Sequence, residues 1–273
     1  MDESIIELST SQASGLPSDF FQVAQMLPGD QEVVSVGLRA SVAEALSLMR
    51  ENDYSQLPVV LGNRVFGVFS YRSLAAGLAS GAIDGNPLES PVSDLLADLA
   101  FVRLRDDLHD LLPFLQRDDA VLVGDEDRLM GVIMTADVTT FLWEVTEPFV
   151  LVRDIELAVR KLMTSACASR EHLEGCIRNS ARPRKGGVFP TLLEELSLGE
   201  LVKVLVHEQN YARHFRSAFG GNSRYVEGQL EPIVRIRNEI FHFVDRLGSS
   251  DRQTLLSARR WIQRKADVME AAA

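Results

Sequence analysis

The chain has 273 residues, 46% apolar and 25% charged, an ordinary balance for a globular protein and long enough for two domains or one large one. No apolar run reaches the length of a membrane span, and the acidic opening MDESIIELSTSQ lacks the basic start and apolar centre of a secretory signal, so a cytoplasmic protein with no membrane partner is expected. The net charge of −11 is unevenly spread: residues 1–152 carry eight arginines, no lysine and 24 acids, net −16, whereas residues 153–273 carry 20 basic and 15 acidic residues, net +5. An acidic first half is a poor surface for a polyanion. The basic second half can hold one through Lys and Arg contacts to phosphate, or can be a solvated basic face. Cys167 and Cys176 have no second pair to complete a metal site, and read as free thiols of a reducing compartment.

In chain order, residues 1–30 form an extension of obscure role, in which SDFFQVAQML suggests a short helix. Then a pattern occurs twice. SVGLRASVAEALSLM, from Ser35, and VRLRDDLHDLLPFL, from Val102, each read as a short strand, a turn and a helix, with Ser41 and Asp107 as N-caps. LPVVLGNRVFGVFSYRSLAAGL, from Leu57, and DAVLVGDEDRLMGVIMTADVTTFL, from Asp119, each read as strand, tight turn, strand and helix. Gly67 and Gly131 correspond at a spacing of 64. A β-α-β-β-α unit is thus duplicated over residues 31–147, the copies covering about 31–85 and 90–147. Neither copy holds enough apolar surface to close a core alone, so the two are expected to pack sheet against sheet.

The period changes near Pro148, and residues 148–273 read as an all-helical bundle of four or five helices. In LVRDIELAVRKLM, Ile155, Val159 and Leu162 form one stripe. RNSARPRKGG is a basic loop, and TLLEELSLGELVKVLVHEQNYARHF gives two helices broken near Gly199. GGNSR is a turn; a long helix over Val226–Leu247 follows, then a last helix capped near Ser250. On the long helix Val226, Leu230, Ile233, Ile240 and Val244 form a stripe with Arg237 near its middle. An unpaired guanidinium there would cost several kcal/mol. Arg237 must therefore pair with an acid such as Glu194 or Glu195, snorkel to the edge, or line a cleft or dimer interface. The class is α+β.

The run ASVAEALSLMRENDYSQLPVV with RVFGVFSYRSL resembles a cystathionine-β-synthase-type (CBS) domain, and residues 30–145 resemble a tandem CBS pair, or Bateman module. The resemblance implies an adenine nucleotide (AMP, ADP or ATP) as regulatory ligand in a cleft between the copies. The family signature is Gly, two apolar residues, Ser or Thr, two variable residues, then Asp. GVFSYRS keeps the hydroxyl at Ser70 but has Ser73 for the Asp, and Arg72 is available for a phosphate. GVIMTADV keeps Asp137 but has Met134 at the hydroxyl position and Thr135 one later. Loss of the ribose carboxylate removes charge-assisted hydrogen bonds of order 1.5–3 kcal/mol each. The second cleft is therefore the expected site, and a pair kept only for packing is the plain alternative.

IRNEIFHF, with Arg237, Asn238 and His242, resembles the motif of HEPN domains, many of which are metal-independent ribonucleases that dimerise to build a composite site. The resemblance covers about residues 150–270. It implies Arg237, Asn238 and His242 as catalytic residues, RNA as substrate, a homodimer and no required metal. Imidazole suits both proton transfers of cleavage by the 2′-hydroxyl near neutral pH. A guanidinium stabilises the charged phosphorane. Non-catalytic HEPN domains exist, so a CBS adaptor whose helical domain only dimerises or binds a partner is the alternative. His207 and His214 are further candidates.

Overall fold

Two copies of one hydrophobic pattern fold into two copies of one sheet. The computed structural model describes residues 22–27, 33–83, 85–242 and 247–271. By contacts the chain divides into two units, Met1–Phe141 and Leu142–Ala273. In the first unit, β1 (Val36–Gly37), α1 (Val42–Asn52), β2 (Gln56–Leu61), β3 (Arg64–Ser70) and α2 (Tyr71–Ser80) form one copy. The other copy holds β4 (Phe101–Val102), α3 (Leu108–Asp118), β5 (Ala120–Asp125), β6 (Arg128–Met134) and the first residues of α4 (Thr135–Ala166). The sheets run β1-β2-β3 and β4-β5-β6, with a parallel first pair and an antiparallel second pair in each. The irregularities coincide too. Register shifts between Val59 and Val60 and between Val123 and Gly124, and Gly67 pairs with Val59 as Gly131 pairs with Val123.

Local chemistry starts the helices where the sequence places them. Ser41 and Glu44 close a reciprocal capping box on α1, and the Asp107 carboxylate accepts from His109 N at 2.9 Å on α3. Val42, Ala45, Met49, Leu57, Val59 and Phe69 are buried in the first copy. Val65 and Val68 of that copy are buried with Leu122 of the other, against Phe101, Leu129 and Val132. Joint burial is what neither copy can supply alone. Ala97, from the connection between copies, exchanges two backbone hydrogen bonds with Val68 at 2.9 Å. Gly67 faces that connection at φ +154°; a Cβ there would lie 3.1 Å from Ala97 O and 3.2 Å from Leu96 Cβ. Of SDFFQVAQML, residues 18–21 lie outside the described residues; Val23–Gln25 make a 3-10 turn with Val23 buried.

The second unit is helical. It holds the rest of α4, then α5 (Arg170–Ser180), α6 (Leu198–Val206), α7 (Glu208–Asn210), a π-helical turn (Tyr211–Phe215), α8 (Arg216–Phe219), α9 (Ser223–Phe241) and α10 (Ser249–Glu270). Pro148 lies inside α4 rather than between elements. Proline removes one helical hydrogen bond, but burial of Leu151, Val152, Ile155 and Val159 in the following turns holds the helix. No helix among the described residues is long and apolar enough to cross a membrane. Both cysteines are free. Cys176 is buried, and burial foremost, with Cys167 beside it, pushes its thiol up to about 12.

Three expectations are corrected. The break near Gly199 falls earlier: Ser197 and Glu200 close a capping box that starts α6 at Leu198. Gly199 lies inside the helix, where a Cβ would stand 3.2 Å from Val234 Cγ1 of α9. The cap of α10 falls at Gly248, near Ser250 as expected, and makes no side-chain bond. The middle of the α9 stripe is Ile236, fully buried with Val226, Leu230 and Ile233, while Arg237 stands half-buried beside it. The projected end of that helix is also shorter: α9 stops at Phe241, and Val244 lies outside the described residues.

The start of α6 carries a pH dependence. Arg184 donates to Glu200 Oε1 at 2.8 Å and Oε2 at 3.2 Å, and Ser197 N donates to Oε2 at 2.9 Å. Arg184 foremost, with Ser197, lowers the Glu200 carboxyl from 4.5 to about 2. A depressed folded value means stability present above the unfolded value and lost as pH falls through the folded one. After discounting for solvent screening, Glu200→Gln should cost about 1–2 kcal/mol at pH 7. In urea unfolding the cost should shrink below pH 4.5 and vanish near pH 2; a cost constant with pH would refute the ion-pair account.

Candidate functional site

The strand-to-helix turn between β3 and α2 opens onto a cavity of about 450 Å³ in the first unit. Its wall includes Gln56 of β2, Ser70, Arg72 and Ser73 of that turn, and Gly77 of α2. Ser73, which stands where the signature has Asp, takes over as a helix cap: Ser70 Oγ accepts from Ser73 N and Ser73 Oγ accepts from Ser70 N, both at 2.9 Å. Ser70 spends its lone pair on this box and keeps its O–H for a ligand acceptor. Arg72 Nη1 donates to Arg117 O at 2.9 Å, in the last turn of α3, so one arm of the guanidinium caps a helix and the rest faces the cavity. Gln56 Nε2 is buried with no partner among the described residues. A buried unpaired amide donor costs of order 1–3 kcal/mol. Gly77 lets α2 close on the connection: a Cβ there would meet Leu95 Cδ2 at 2.1 Å.

The second copy is organised differently. Asp137 Oδ2 accepts from Met134 N at 2.8 Å, capping the start of α4. Thr135 Oγ1 donates to Asp119 Oδ1 at 3.0 Å, and Thr135 N to Asp119 O at 3.1 Å. The Ser55 hydroxyl reaches the Met134 sulfur at 3.8 Å. The described cavity is lined by Ser70 and Arg72 of the first copy.

In the second unit, Arg237 and Asn238 meet, Nη1 donating to Asn238 Oδ1 at 3.3 Å. The guanidinium lies over the exposed Phe241 ring, 4.6 Å from its centroid, and Phe241 meets Phe149 edge to face at 5.7 Å. Arg237 Nε is buried without a partner among the described residues. The expected acid partners are elsewhere: Glu194 and Glu195 are exposed, and Glu195 Oε2 accepts from Thr191 N at 2.9 Å. Arg237 has adopted the snorkelling solution, with an aromatic ring in place of a carboxylate. His242 is exposed at the C-cap of α9, its N–H donating to Asn238 O at 2.9 Å. His214 lies on the π-helical turn with its ring 5.4 Å from that of His172, and burial first, then His172 and Arg213, lowers its pKa. His207 Nδ1 is buried without a partner among the described residues. Gln56 and the His172–His214 pair were not singled out by the sequence; neither has a spacing signal, because each role arises from contacts between separate elements.

Residues 26–80 match the CBS domain. Solved structures similar to this chain include a CBS-domain protein of Agrobacterium tumefaciens (23% identity, covering 44% of this chain and 98% of that one, TM-score 0.39). Others are CBSX2 in complex with AMP (24% identity, 46% of this chain and 98% of that one, TM-score 0.39) and a conserved protein of Pyrococcus horikoshii (21% identity, 44% and 90%, TM-score 0.38). No curated protein matches the chain.

Proposed function

We propose that this chain is a ligand-sensing regulatory protein of the cytoplasm. Its tandem CBS unit takes an adenine nucleotide or nucleoside, and its helical unit is a HEPN-type, metal-independent endoribonuclease acting as a homodimer under control of that ligand. The observation that carries the reading is the cavity lined by Ser70 and Arg72, both within the stretch that matches the CBS domain. An adenine ring, ribose or phosphate supplies acceptors for these two donors.

For the helical unit the support is Arg237: a guanidinium held over Phe241 by Asn238, paired to no carboxylate among the described residues and so free to meet a phosphodiester. In cleavage by the 2′-hydroxyl, the His242 imidazole takes that proton as the oxygen attacks phosphorus, and a second His242 from the partner protomer protonates the leaving 5′-oxygen. Arg237 stabilises the extra charge of the phosphorane, and Asn238 keeps its guanidinium in place. The second reading, a non-catalytic adaptor, is favoured by the exposed Phe149–Phe241 pair, which suits a protein partner as well as a nucleotide base.

The test is cleavage of a mixed transfer and messenger RNA preparation in EDTA, with and without AMP, ADP or ATP. Wild type should cleave and respond to a nucleotide. His242→Ala should lose about 10³-fold and Arg237→Ala about 10²–10³-fold, with thermal unfolding unchanged for the exposed His242. No cleavage under any of these conditions leaves the adaptor reading. No calorimetric heat with adenosine or any of the nucleotides reduces the CBS unit to a scaffold.

A further inference from the structure

The charges around the first cavity do not suit a polyphosphate. Besides Arg72, its lining holds three carboxylates: Asp94 and Asp98 of the connection between the copies, and Asp118 at the end of α3. Asp118 is paired with Arg117 at 2.7 Å. Asp94 accepts only a hydroxyl, Ser93 Oγ at 3.2 Å, and Asp98 has no cation within salt-bridge range among the described residues. The lining therefore carries three negative charges against one positive, and two against one once Arg117 is set against Asp118. The one lining cation is already tied by a hydrogen bond to Arg117 O.

Size makes this charge inescapable. A cavity of 450 Å³, were it spherical, would be about 10 Å across, close to one Debye length at physiological salt. Any ionic group on a bound ligand therefore senses all the lining carboxylates, whichever way the ligand lies. Two unit charges about 6 Å apart in a water-like medium change an equilibrium about three-fold, so a tetra-anionic tail multiplies the penalty several times.

Resting on the reading that this cleft takes an adenosine-bearing ligand, we infer that Asp94 and Asp98 make it select by charge, for nucleosides whose 5′ group is positive or neutral and against nucleotides that carry phosphate. Ser70 supplies a neutral donor to the nucleoside, and the two carboxylates decide what the sugar carries.

The experiment is calorimetry on the full chain without divalent cations, using four probes: 5′-amino-5′-deoxyadenosine, adenosine, AMP and ATP. Affinity should fall in that order, with about thirty-fold or more between adenosine and ATP at low salt and a smaller gap at 0.5 M salt. In the isosteric double variant Asp94→Asn/Asp98→Asn, the adenosine-to-ATP ratio should fall at least ten-fold. Both positions are exposed, so folding should hold, and circular dichroism checks it. Arg72→Ala should widen the gap instead. ATP binding as tightly as adenosine, or a gap unchanged in the double variant, overturns the charge inference and leaves the binding reading standing. Heat from none of the four probes removes the binding reading itself.

Discussion

Asn210→Leu is expected to destabilise the helical unit by about 3 kcal/mol. Asn210 is 1% exposed, at the end of α7 and immediately before the π-helical turn. Its Nδ2 donates to Cys176 O at 2.8 Å and Val204 O at 3.0 Å, with Ser180 Oγ at 3.3 Å, while Oδ1 accepts from Asn179 Nδ2 at 2.9 Å. Val204 lies in the last turn of α6, where carbonyls lack helical partners. One amide therefore caps α6, ties it to α5 and fixes the chain that enters the π turn. Leucine matches the volume but leaves a carbonyl and an amide unpaired in a dry interior, and each costs about 1–3 kcal/mol. Asn210→Asp should be as damaging, because a carboxylate cannot donate to two carbonyls. The readout is clean: the two tryptophans, Trp143 and Trp261, both belong to the second unit, so their fluorescence in urea reports that unit. A loss below about 1 kcal/mol would show that water replaces the amide and that this network is incidental.

Arg252→Ala should lower stability measurably, and a second change should return most of the loss. Glu147 is 8% exposed, and Arg252 grips it through two bonds, Nη2 to Oε1 at 2.8 Å and Nε to Oε2. The pair joins α4 to α10 across 105 residues of sequence. Alanine at 252 strands a buried carboxylate, with Glu144 adding like charge nearby. Neutralising the stranded group with Glu147→Gln in the same chain should therefore raise stability, although Glu147→Gln alone should lower it. A double-mutant cycle with a coupling energy above about 1.5 kcal/mol is the expected result. Additive effects would place the pair among the many exposed ion pairs that contribute little.

The comparison of expectation with structure follows the range of the interactions involved. Ser41, Asp107 and the doubled strand–turn–strand pattern act over a few residues, and each stands where its neighbours dictate. The break expected near Gly199 falls earlier because Ser197, a nearby cap, starts α6 before it. Arg237 was correctly marked as a charge that could not simply enter a core. Its resolution by Phe241 and Asn238 also lies within four residues, and of the three outcomes open to it the side chain takes the snorkelling one.

The sequence alone determined that an acidic β-α-β-β-α duplication precedes a basic helical half, that residues 26–80 match the CBS domain, and that Arg237 and Asn238 lie close along the chain to His242. These are matters of periodicity, composition and short spacing, which a linear pattern records. Only the tertiary structure placed a cavity beside Ser70 and Arg72, set Asp94 and Asp98 in its lining, and put Asn210 and Glu147 inside the core as polar groups. Burial and charge neighbourhood depend on which distant segments meet, and no local pattern encodes the volume left between them.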